Sequence, residues 1–104
     1  MYLEIITPEQ TLFKGEVDSV LFPGSLGDFQ VLNNHAPIVS TLKKGEVKII
    51  GKLNLDSSVK DQFEISDKEI TLKIESGTVE MNNNQVTLLA VSYTHLRAHE
   101  TSLH

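Results

Sequence analysis

The 104-residue chain sets nine Lys and Arg against 14 Asp and Glu, a formal charge of −5, so long-range electrostatics oppose a nucleic-acid backbone or an anionic membrane surface and favour basic partners. Its 39% apolar and 22% charged residues suit a globular domain with a single core, and no window approaches the roughly 18 uninterrupted apolar residues of a membrane-spanning helix. Zero cysteines exclude a disulfide scaffold, a thiolate nucleophile and any zinc site that uses Cys.

Met1 runs directly into "YLEII" without the basic start and small-residue cleavage site of a signal peptide. An intracellular chain without direct membrane insertion is therefore expected. "YLEII" is also the first of a series of short alternating segments. "TPEQ" breaks it, "TLF" follows, and Lys14 with Gly15 reads as a tight turn into a second strand, "EVDSVLF". Pro23 and Gly24 close that strand. "DFQVL" places Phe29 and Val31 on one face, the Asn-Asn-His-Ala-Pro break follows, and "IVSTL" leads through Lys43, Lys44 and Gly45 into "EVKII".

Residues 51–61 form the least patterned stretch of the body and read as a loop or hairpin tip. Beyond them, "QFEIS" sets Phe63 and Ile65 on one side, and "EITLKIE" does the same with Ile70, Leu72 and Ile74. "TVEM" and "QVTLLA" flank three asparagines, residues that tolerate positive φ, and so predict a hairpin with Val79, Met81, Val86 and Leu88 facing inward. About ten short strands with turn chemistry between them predict an all-β fold, a two-layer antiparallel β-sandwich or flattened barrel. Val17, Val20, Phe22, Phe29 and Val31 are assigned to its core.

From residue 91 the alternation stops, and three of the four histidines crowd into "VSYTHLRAHETSLH". His95 and His99 stand at i, i+4, but no carboxylate or thiol joins them at ligand spacing, and "HLRAH" lacks the Glu of the zinc-protease motif; no metal is assigned. Residues 91–101 can also be encoded by a transposon-end adapter used to build sequencing libraries. The expected domain is residues 1–90, followed by a non-native-looking tail over 91–104.

Catalysis finds no footing in the body. It offers no Ser-His-Asp spacing, no paired carboxylates with an apolar pocket and no glycine-rich phosphate loop before a helix, so neither a catalytic residue nor a cofactor is expected. His35 reads first as a side chain bonding nearby backbone in its own turn. A free-standing β-sandwich binder of sugar or peptide would need an aromatic stripe, and a small metal-dependent double-sheet barrel would need several converging histidines where the body has one.

In order along the chain, "LEIITPEQTLFKGEVDSVLFPG", "GDFQVLNNHAPIVSTLKKGEVKI" and "ESGTVEMNNNQVTLLA" resemble the N-terminal β-sandwich domain of the epsilon subunit of F-type ATP synthases. The most specific runs are residues 15–20, 34–37 and 45–47. Gln30 and Asn33 stand where the family usually has Gly and Pro, Thr78 replaces the second glycine of a usual Gly-Gly, and the segment between Ile49 and Glu75 is longer than usual. The resemblance implies a noncatalytic central-stalk subunit that links the gamma shaft to the c-ring and couples proton-driven rotation to ATP synthesis. The implied setting is a hetero-oligomeric complex at the cytoplasmic face of the bacterial plasma membrane. It also implies that Ser25, Leu26, Gly27 and Asp28, with His35 in the next turn, face the polar loops of the c-ring, and that part of the outer sandwich surface is apolar where the shaft grips it.

Overall fold

The computed structural model describes residues 1–51, 63–66 and 69–92. Among them are nine strands and no helix. The first six are β1 (Tyr2–Ile6), β2 (Thr11–Glu16), β3 (Ser19–Phe22), β4 (Phe29–Leu32), β5 (Ile38–Leu42) and β6 (Gly45–Ile50). β7 (Phe63–Ile65), β8 (Glu69–Asn82) and β9 (Gln85–Ser92) follow. The expected loop over 51–61 lies, beyond Gly51, outside the described residues.

One long strand makes two layers out of this chain. Residues 69–74 of β8 pair with β6 on one side and β7 on the other, whereas residues 77–82 pair with β5 and β9. One layer therefore runs β4-β3-β6-β8-β7 and the other β5-β8-β9-β1-β2. The handover shows in the burial phase: Ile70, Leu72 and Ile74 point inward, then Val79 and Met81 do, so the inward set moves from even to odd positions. A period of two cannot change parity without an extra residue, and the β8–β9 register does shift between Ile74 and Ser76, as a bulge requires. Gly77 sits beside it because the backbones come close there: a Cβ would lie 2.7 Å from the Leu89 carbonyl oxygen. Alternation alone reads β8 as two strands, since each half obeys its own phase.

The all-β, two-layer architecture agrees with the sequence pattern, with one refinement. β1 lies parallel to β9, Tyr2 beside Gln85 and Ile6 beside Leu89, so the sheet is mixed, and its strand path is open rather than a closed barrel. A parallel neighbour needs a long connection, and the whole intervening chain supplies it.

The expected tight turn at Lys14 and Gly15 is absent. Both residues lie within β2, opposite Glu4 and Leu3, and the chain turns instead at Val17 and Asp18. Gly15 serves packing: a Cβ there would stand 3.0 Å from the tip of the Phe13 ring. Asn83 and Asn84 at φ 53° and 61° make the two-residue hairpin that the asparagine run predicts. β9 continues through Val91, which pairs with Ser76, and Ser92, which pairs with Ile74, two residues past the boundary expected at 90.

Between the layers, Leu3, Ile5, Val20, Phe22, Val31, Val47, Ile49, Leu72, Ile74, Val79, Val86 and Leu88 are fully buried. Each large apolar side chain so buried contributes about 1.5–3 kcal/mol relative to exposure. Of the core assignments, Val17, Val20, Phe22 and Val31 are buried and Phe29 packs half-buried against them. Among the described residues no buried side-chain nitrogen or oxygen lacks a hydrogen-bond partner.

Candidate functional site

The loop over residues 23–28 leaves β3 and returns into β4. Its geometry begins with the phenylalanine pair that closes the hairpin. Phe22 and Phe29 are register partners with ring centroids 5.5 Å apart. Gly24 fits beneath them only because it has no side chain: a Cβ would stand 2.6 Å from the Gly27 carbonyl oxygen and 2.8 Å from the Phe29 ring. The Gly27 N–H donates to the Gly24 carbonyl at 3.0 Å, and Gly27 itself takes φ 136°, a backbone that side-chain-bearing residues rarely adopt. Both glycines are thus turn residues.

The near arm of the loop is tied to the other layer. Lys43 N–H donates to the Pro23 carbonyl at 2.9 Å, Ser25 N–H donates to the Thr41 carbonyl at 3.0 Å, and Gly24 bridges to Leu42. The hydroxyls of Ser25 and Thr41 share a further hydrogen bond of 2.9 Å. From this tethered base, Ser25, Leu26, Gly27 and Asp28 all project into solvent. Leu26 is 105% exposed, more than in an extended reference chain, whereas the other exposed large apolar residues lie between 39% and 73%. An isobutyl group at a loop tip gains nothing for the isolated fold, because it buries no area.

His35 does not join this group. It sits in the turn after β4, at the other end of that strand from Asp28. Its N–H donates to the Leu32 carbonyl at 3.1 Å, and its Nδ1 pairs with the Ala36 carbonyl at 2.8 Å, the local backbone contact that its turn position suggests. That turn is clasped to the β8–β9 hairpin. Asn34, at φ 63°, donates its N–H to Asn84 Oδ1 at 2.7 Å, and Asn84 Nδ2 donates to Asn33 Oδ1 at 3.0 Å. The structure therefore gathers residues 25–28 at one end of β4 and places His35 at the opposite end.

Thr41 and Lys43 belong to the site although no sequence pattern singles them out. Thr41 sits in the outward phase of β5 like any exposed strand residue, and its partner lies 16 positions away. Nothing local encodes that contact.

Two concavities are lined by described residues. One, of about 650 Å³, is polar and lined by Glu16, Asp18, Asn33 and Asn84 among others, and another, of about 590 Å³, is mostly apolar, with Ile6, Pro8, Leu42, Leu89 and Val91 in its walls. Among the described residues no three His, Asp or Glu side chains converge at ligand distance, and His95 and His99 lie outside those residues. The described aromatics, Tyr2, Phe13, Phe22, Phe29 and Phe63, are all buried or half-buried. Among the described residues they form no surface stripe on which a ligand could stack.

The family model for the ATP synthase delta/epsilon chain β-sandwich domain matches residues 1–95. The ATP synthase epsilon chain of Chlorobium limicola is 38% identical over 87 residues, covering 84% of this chain and 84% of that protein. The epsilon chain of Leptospira interrogans is also 38% identical over 87 residues, but those cover 58% of its length, so the chain spans less than two thirds of that relative. Among solved structures, a chain of the Euglena gracilis mitochondrial ATP synthase (OSCP/F1/c-ring) aligns with a TM-score of 0.68 at 18% identity, covering 98% of this chain and 66% of that one. A chain of the Tetrahymena thermophila mitochondrial ATP synthase central stalk and c-ring aligns with 0.67 at 12% identity, covering 100% and 73%. At such identities these two likenesses speak to the fold.

Proposed function

Because this chain belongs to the ATP synthase delta/epsilon chain β-sandwich family, we propose that it acts as a noncatalytic rotor piece, seated between the gamma shaft and the membrane c-ring so that both turn together. The chain would sit at the cytoplasmic face of the bacterial plasma membrane, peripheral through the complex it joins. Proton flow turns the ring, this domain helps pass the turning to the shaft, and ATP forms on other subunits.

The observation that carries the reading is the tethered loop ending in Leu26, 105% exposed, with the Asp28 carboxylate two residues on. A rigidly based loop with an apolar tip and an adjacent charge suits docking on a polar partner loop. The side chain gains area on contact, and the carboxylate meets Arg, Lys or backbone N–H groups, setting orientation and on-rate more than affinity. Exposed Leu32, Val39, Ile50, Leu89 and Val91 on the outer faces supply the apolar area that a shaft contact needs. His35, turned toward the opposite end of the sandwich, belongs to a different contact zone from Asp28.

The test is co-purification of the chain with gamma and the c-ring of the same organism, comparing wild type with Asp28→Lys. Capture by gamma in both, weaker ring association in the variant and no ATP hydrolysis by the chain alone are expected. Ring association that Asp28→Lys leaves unchanged would overturn the docking role of the loop.

A further inference from the structure

The tip of the docking loop and the anchor that aims it come from different layers. Residues 25–28 lie between β3 and β4, yet the near arm is held by the last residues of β5. Beyond Ser25, the loop is closed by the internal bond from Gly27 N–H to the Gly24 carbonyl, which fixes its curvature but not its direction. Direction is set at Ser25, where the main chain bonds to the Thr41 carbonyl and the hydroxyl bonds to the Thr41 hydroxyl.

We propose that Thr41 is a positioning residue for ring docking: its side-chain hydroxyl, through Ser25, holds the Leu26–Asp28 tip in the orientation that the ring loop recognises. This rests on the docking reading above. Thr41 stands opposite Thr78 of β8, and Thr78 stands opposite Leu89 of β9, so the anchor continues into the middle of the second layer. A push on Leu26 is thereby borne by both layers and not by the β3–β4 hairpin alone. The mechanism is preorganisation: a loop already ordered has less freedom left to lose on binding, whereas the same loop released at Ser25 must be ordered by the partner. The hydroxyl pair is exposed, so its loss should leave global stability close to wild type while the aim of the loop changes.

Thr41→Val removes the hydroxyl and keeps the β-branched shape and the backbone bond, while Thr41→Ser keeps the hydroxyl and loses the methyl. Amide hydrogen exchange at Ser25 and Gly27, whose N–H groups are hydrogen-bonded, is measured in the free chain, ring association in the complex assembled with gamma, and the melting temperature alongside. Thr41→Val should speed exchange and weaken ring association by about threefold to tenfold, the range that one exposed hydrogen bond supplies. Its melting temperature should stay near wild type, and Thr41→Ser should restore both readouts. Ser25→Ala breaks the same bond from the other side and should match Thr41→Val, which separates loop aim from any fault in β5.

If Thr41→Val and Ser25→Ala leave exchange and association unchanged while Asp28→Lys weakens association, the positioning role is overturned and docking stands. If exchange quickens in Thr41→Val but neither it nor Asp28→Lys alters association, the docking reading fails, and the positioning role with it.

Discussion

Replacing Asn84 separates two things the residue does at once. It occupies the second position of the β8–β9 hairpin at φ 61°, and its amide group clasps the turn after β4 through the Asn34 N–H at 2.7 Å and Asn33 Oδ1 at 3.0 Å. Asn84→Gly keeps the left-handed backbone accessible and deletes both side-chain bonds. At about 0.5–1.5 kcal/mol per bond, and because one end of each is exposed, the expected loss is about 1–2 kcal/mol. Asn84→Ala deletes the same bonds but keeps a Cβ in the left-handed region, where Ala is tolerated less well than Asn or Gly, so it should fall about 1 kcal/mol below the glycine variant. A domain of this size shifts by about 4–8 °C per kcal/mol, so thermal unfolding should rank wild type above Asn84→Gly and Asn84→Gly above Asn84→Ala, with gaps wide enough to resolve. A double-mutant cycle with Asn33→Ala should return a coupling of about 0.5–1 kcal/mol. Asn84→Gly as stable as wild type would show that the clasp carries no weight; Asn84→Ala equal to Asn84→Gly would show that the turn backbone is not the constraint described.

Gly24→Ala forces a Cβ to 2.6 Å from the Gly27 carbonyl and into the Phe29 ring, so it should cost about 1–3 kcal/mol in chemical denaturation and also weaken ring association. Gly77→Ala puts a Cβ 2.7 Å from the Leu89 carbonyl, and a similar loss is expected with faster amide exchange along β9. Leu72→Ala, at a fully buried position between the layers, should cost about 2–5 kcal/mol by urea unfolding. Glu64→Gln breaks the 3.2 Å pair with Lys73, but both side chains are largely solvated, so stability should change by no more than about 0.5 kcal/mol.

The strands were legible wherever one face is dry and the other wet. "DFQVL", "EVKII" and "QVTLLA" alternate because β4, β6 and β9 each put one row into the core, and the asparagine run announced its hairpin because two successive residues there need positive φ. Legibility failed where a residue answers to a distant partner. Gly15 looks like a turn residue and is a packing residue, because the Phe13 ring that excludes its side chain is a tertiary contact. β8 looks like two strands because its bulge changes the phase, and the parallel pairing of β1 with β9 leaves no mark on either segment. The candidate site divides the same way. The turn character of residues 24–28 was visible in its glycines, but its tether to Thr41 was not, and adjacency along the chain does not show that the four-residue strand β4 sets His35 and Asp28 at its two ends.

None of the 104 residues is cysteine, so a single Leu26→Cys substitution gives an attachment point unique within them for a photoactivated cross-linker. In the assembled complex, this probe should label the ring subunit, and the same probe at His35→Cys should not. Labelling of the ring from position 35 with none from position 26 would contradict the account at its centre.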